Sequence, residues 1–129
     1  MNHVSAVANM IHAGVDSCMS HIEEASREIS EHRVEDGCIH LHNAIRVSKF
    51  IRKYAVESGS RNAPVVSQAL ERLVSVINTL DDIYRIQGWG EKCTRYTEKK
   101  RKLGSSYENI SIDIEEETRV MKRMIQLII

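Results

Sequence analysis

The chain has 129 residues, 42% of them hydrophobic and 28% charged, with 18 Lys and Arg against 18 Asp and Glu. That length supports one domain with a real core, and the composition excludes a disordered or fibrous chain. The balanced charge gives no global pull toward nucleic acid or an anionic membrane.

No apolar run approaches the roughly 20 residues of a membrane span. The start, MNHVSAVANMIHAGVDSC, lacks the basic head and unbroken apolar block of a secretion signal. Cys18, Cys38 and Cys93 are an odd number without C-x-x-C spacing, and they read as reduced, partly buried thiols of a cytoplasmic protein. A single proline and few aromatics favour long helices over strands. The predicted fold is all-α: an antiparallel bundle of three to four long amphipathic helices, at about 3–32, 36–57, 63–87 and 105–128, in a single domain spanning 1–129.

The first helix is predicted from Val4, Val7, Ile11, Gly14, Cys18, Ile22, Ala25 and Ile29, which alternate spacings of three and four as a bundle seam does. It breaks at HRVEDGC, where Glu35 or Asp36 is a candidate cap and Gly37 fits a turn. Cys38, Leu41, Ile45, Ser48, Ile51 and Ala55 form the second seam, and Gly59 can stop that helix. Asn62 is a candidate cap for the third helix, with Pro64 in its first turn. Val66, Ala69, Leu73, Val76 or Ile77, Leu80 and Ile83 make the third seam, which ends at QGWG. EKCTRYTEKKRKLGSS is compatible with a short helix or an extension of one. Ser105 and Glu108 have capping-box spacing for a last helix carrying Leu103, Tyr107, Ile110, Ile114, Thr118, Met121, Ile125 and Ile128. Amphipathic helices with one apolar stripe each can hide those stripes only against one another, hence a bundle.

Candidate chemistry is sparse. His40 and His42 stand two apart and diverge by about 200° on a 3.6-residue helix, so they cannot share a metal and read as flanks of the buried stripe. His42 lacks the following lysine and glycine of a phosphotransfer histidine. Glu28 and His32 lie a turn apart, but no Glu-x-x-His occurs anywhere in the chain, so a bundle metal pair is not expected. No cofactor motif is present: there is no Gly-rich phosphate loop or nucleophile elbow. Lys99, Lys100, Arg101 and Lys102 form a basic patch. Residues 91–103 hold six basic against two acidic residues, a net +4, and residues 105–118 carry −5. Blocks of opposite sign can neutralise each other, so nucleic acid is the lesser expectation for that patch.

Two resemblances bear on function. Arg27 and His32 fit the Arg-x4-His pattern of HEPN-type helical ribonucleases, which implies a catalytic role for those two residues in an RNA-processing or nucleotide-binding protein. More extensively, EDGCIHLHNAIRVSKFIRKYAVESGSRNAPVVSQALERLVSVINTL resembles the flagellin export chaperone (FliS) family through Ala44-Ile45, Ile51, Glu57 to Gly59, and Ala69, Leu70 and Leu73. That resemblance implies a small bundle that holds a partner helix in an apolar groove and does no chemistry. VMKRMIQLII is apolar on more than one face, which marks Met121, Met124, Ile125 and Ile128 as partner-binding candidates. The expected partner is a protein, presented as an amphipathic helix, and self-association through the first or the terminal helix is expected as well.

Overall fold

The structure is a computed structural model that describes residues 3–102, apart from the side chains at 97 and 100–102, together with residue 123. The predicted helix at 105–128 therefore lies outside the described residues. Between residues 3 and 102 four helices follow one another: α1 (His3–Ser30), α2 (Val34–Glu57), α3 (Pro64–Arg85) and α4 (Trp89–Lys102). Among the described residues there is no strand, and no helix is long and apolar enough to cross a membrane.

The seams read from sequence form the core. Cys38, Leu41, Ile45, Ser48, Ile51 and Ala55 are buried on α2, and Val66, Ala69, Leu73, Val76, Ile77, Leu80 and Ile83 on α3. α1 buries Val7, Ile11, Cys18 and Ala25 from its seam, and also Ala8 and Val15 on a second row. The second row exists because α1 is the central helix, packed against both α2 and α3, whereas α2 and α3 touch each other less. A bundle helix with two neighbours needs a buried stripe wider than the two positions per heptad of a coiled-coil seam.

α1 and α2 form a tight antiparallel hairpin. A Cβ built on Gly14 would lie 2.1 Å from Ile51 Cδ1, and one on Gly37 would lie 2.7 Å from Ile29 Cγ1. Ile51 is 3% exposed, and both glycines admit a close approach of the two helices. Gly37 thus sits inside α2 as a packing residue, and the turn expected there falls earlier. Midway along, the Cys18 thiol donates to the Ala44 carbonyl at 3.4 Å and the Ser48 hydroxyl donates to the same carbonyl at 2.6 Å. Two small polar groups are thereby satisfied inside the seam. Burial pushes the Cys18 thiol up, which keeps it protonated and inert.

The turns differ from expectation in their caps. Arg33 precedes α2 and Ala63 precedes α3, and neither makes a side-chain cap. Glu35 and Asp36 instead lie in the first turn of α2, where the helix dipole favours them. Pro64 opens α3 as expected. Left-handed Gly59 (φ 71°) and Gly88 (φ 75°) follow α2 and α3.

α4 is the helix the sequence left open, and its packing is narrow. Trp89, Gly90 and Cys93 are buried, while Glu91, Lys92, Arg95, Glu98 and Lys99 are exposed. Cys93 is bonded to Cys38, with Cα atoms 5.6 Å apart. Tyr96 hydrogen-bonds Glu35, so α4 runs antiparallel to the first turns of α2. Burial first, then Glu35 and the charge of Asp36, pushes the Tyr96 hydroxyl up to about 12. The expectation of three reduced thiols is corrected here: Cys38 and Cys93 face each other across the α2–α4 contact, and only Cys18 is free.

The bridge closes a chain separation of 55 residues. Cross-links of such loops remove unfolded-chain entropy worth about 2–4 kcal/mol. The double variant Cys38→Ser, Cys93→Ser is expected to unfold at lower urea by that margin than the oxidised protein. Equal midpoints would mean that the bridge adds no stability to the folded chain.

Candidate functional site

Two places on the molecule gather features that a plain bundle does not require. The first is a groove between α1 and α3 of about 220 Å³, lined by Val15, Met19, Ile22, Glu23, Arg72, Ser75, Val76 and Thr79. Val15, Met19, Ile22 and Val76 make an apolar floor, and Glu23, Arg72, Ser75 and Thr79 make a polar rim. Met19 is 45% exposed, so an adaptable apolar side chain meets solvent at the centre. Arg72 closes one end: it donates to Asp16 Oδ1 at 2.8 Å and to His12 Nδ1 at 2.8 Å. These contacts cross from α3 to α1 and bridge the two walls at the surface.

The second place is on the α1–α2 face. His21 and His40, both half-buried, bring their Nδ1 atoms to 3.1 Å. Ring centroids lie 5.4 Å apart, longer than the nitrogen separation by about two ring radii, so the Nδ1–Nδ1 line passes near both ring centres. This is the geometry of one N–H pointing at the other ring's lone pair. Burial first, then the neighbouring His40, pulls the His21 pKa down, and Glu24 opposes this. The pair was not foreseen because His40 was weighed only against His42 on its own helix. The available signal was the antiparallel register: His21 and His40 stand at comparable distances on either side of the α1–α2 turn.

The residues singled out from sequence fall elsewhere. Arg27 is ion-paired with Glu24 at the surface. His32 has left the helix: its φ is 63°, its N–H donates to the Ile29 carbonyl at 3.0 Å, and the next N–H, of Arg33, donates to the Glu28 carbonyl at 2.7 Å. That is the Schellman stop of α1 with histidine in the position that favours glycine. Glu28 is ion-paired with Arg33, whose guanidinium holds its carboxyl below the usual range. Arg27 and His32 therefore do not gather around a cavity, and both are exposed. His42 is 5% exposed, a correction to its reading as a flank of the stripe. α2 meets α1, α3 and α4, so its buried face reaches beyond the seam. Among the described residues no three His, Cys, Asp or Glu side chains converge as a metal cage.

Of the basic patch, Lys99, Lys100, Arg101 and Lys102 all belong to the last turn of α4, and Lys99 is exposed. Met121, Met124, Ile125 and Ile128 lie outside the described residues. No protein-family model, curated protein or solved structure matches the chain.

Two outcomes follow from this geometry. A left-handed non-glycine residue costs about 1–2 kcal/mol and glycine's extra unfolded-chain freedom about 0.5–1 kcal/mol. His32→Gly is therefore expected to raise stability by up to about 1 kcal/mol in urea unfolding; a loss of stability would show that the side chain matters more than the backbone turn. The second outcome concerns pH. His21 has a folded pKa below its ordinary 6.5, so the unfolded chain takes up its proton first as pH falls. The stability present above pH 6.5 is then lost on acidification, until the folded form is protonated too. Between pH 7.5 and 5.5 the wild-type urea midpoint should fall further than that of His21→Asn, and equal falls would contradict the shift.

Proposed function

We propose that this protein is a non-enzymatic binding module that holds an amphipathic helix of a partner protein in the α1–α3 groove. The observation that carries the reading is the groove itself: an apolar floor with an exposed Met19 between walls that Arg72 bridges at one end. An amphipathic helix places apolar anchors at i, i+3, i+4 and i+7 in such a floor and its polar flanks on the rim. Glu23 and Arg72 give that rim both signs of charge, which suits a helix with mixed flanks. A floor that contains methionine adapts to more than one anchor shape.

The similarity of residues 35–80 to flagellin export chaperones supports the same class of activity, holding a helix without chemistry. A cytoplasmic location and self-association belong to this reading, with the Cys38–Cys93 bridge open or closed according to the local thiol pool. The alternative, an RNA-processing protein acting through Arg27 and His32, has less behind it. Arg27 is engaged with Glu24, and the backbone of His32 is committed to the helix stop.

A panel of helical peptides with leucine at i, i+3, i+4 and i+7 tests the proposal by NMR. The expected shifts centre on Val15, Met19, Ile22 and Val76, and Met19→Glu should weaken binding by about tenfold or more, the equivalent of about 1.4 kcal/mol. Shifts confined to another face, or affinity unchanged in Met19→Glu, would remove the groove as the binding surface.

A further inference from the structure

We propose that His21 and His40 form a two-imidazole site for a late first-row divalent metal ion (Zn²⁺, Ni²⁺ or Cu²⁺) that ties α1 to α2.

The donor set comes first. Two imidazole nitrogens from different helices stand 3.1 Å apart. With metal–nitrogen bonds of about 2.0–2.1 Å, that separation subtends about 100° at the ion, between square-planar and tetrahedral angles. The rings now point at each other, so each must turn about its Cβ–Cγ bond to aim its lone pair at a common point. That torsion has a broad, shallow profile in histidine, and both residues are half-buried, so each is open to solvent in part. Water can occupy the remaining coordination positions. Nitrogen donors of intermediate softness select the late transition ions over Mg²⁺ and Ca²⁺, which prefer oxygen.

Protonation is consistent with this use. In the neutral pair, one ring carries its proton on Nδ1 and points it at the other Nδ1. Ion binding needs that proton to move to Nε2 of the same ring, with no net release. If the pair carries an additional proton, one is released per ion bound. The carboxylates near the pair are already engaged: Glu24 pairs with Arg27 and Glu28 with Arg33. Those pairings leave the two nitrogens as the ligands.

The two ligands lie on opposite sides of the α1–α2 turn, so an ion held between them is bound by the folded hairpin and not by the unfolded chain. Binding of that kind raises the melting temperature by mass action.

The test is calorimetric titration and thermal unfolding of the oxidised full chain with Zn²⁺, Ni²⁺ and, as control, Mg²⁺ at pH 7.5. One Zn²⁺ or Ni²⁺ per chain with a raised melting temperature is expected, and none with Mg²⁺. His21→Asn and His40→Asn should each lose at least about tenfold in affinity, while His12→Asn keeps it. Nitrogen-15 NMR of the wild-type histidine rings under Zn²⁺ reads the site without a substitution. Its expected result is that Nδ1 of His21 and of His40 shift together. Absence of stoichiometric binding, undiminished affinity in both variants, or shifts at other histidines instead would overturn the proposal.

Discussion

Between Gly14 and Gly37 the first two helices approach until a single added carbon on either glycine would collide with an isoleucine across the gap. Everything else in the bundle is arranged around that contact. At such a distance the backbones leave room only for small groups, which explains Cys18, Ala44 and Ser48 at the centre of the seam. It also explains why their polar atoms share the Ala44 carbonyl, since no water could reach them. Close approach increases dispersion contact along the hairpin, and interiors of this kind transmit displacement instead of absorbing it. The short connection Glu31–His32–Arg33 then follows, because helices so near one another need little chain to join them. The left-handed His32 is the local strain that such a connection demands.

α3 meets α1 differently. It packs beside the second row of α1, where Ala8 and Val15 are buried and Met19 and Ile22 are only partly covered. Side chains larger than glycine and serine hold the two helices apart, and the space between them is the groove. Arg72, bonded to Asp16 and His12, bridges the two helices at one end of it. An exposed ion pair of this sort contributes little to stability; it shows which turn of α3 faces which turn of α1. The groove is thus a by-product of one helix serving two neighbours with different side-chain sizes.

Much of this was legible in the sequence and some was not. The seams of α2 and α3 could be read because each presents one stripe at regular spacing, and those positions are buried. The second row of α1 was missed because a three-four pattern assumes one partner, and Val15 lies off it. Gly37 was read as a turn residue because glycine's tolerance of turns is a local property, whereas its role as a spacer depends on Ile29 of another helix. α4 was left open since only Trp89, Cys93 and Tyr96 carry its inner face, too short a pattern to separate from chance. Cysteine connectivity is not encoded in spacing, so the pairing of Cys38 with Cys93 had no sequence signature. The histidine pair was legible only through the antiparallel register, which requires the hairpin to be placed first.

The two candidate sites share the same stretch of α1. His21 faces α2, while Met19 and Ile22, its near neighbours in sequence, face α3. On a helix, residues one and two apart point about 100° and 200° from each other, so adjacent positions serve opposite neighbours without competing for space. They cannot move independently, however. A turn of helix is a rigid body at the scale of a side-chain contact, and a shift that relaxes the His21–His40 contact also moves the floor between Met19 and Ile22. A load on one face of α1 that displaces this turn also changes the shape presented at the other. Affinity in an apolar groove depends on that shape, because dispersion attraction falls off steeply with distance. The tight α1–α2 seam limits such movement: with Gly14 against Ile51 on one side of this stretch and Gly37 against Ile29 on the other, α1 is pinned both before and after His21. The close hairpin therefore sets the core, and it also gives α1 the stiffness that a groove on its far side requires.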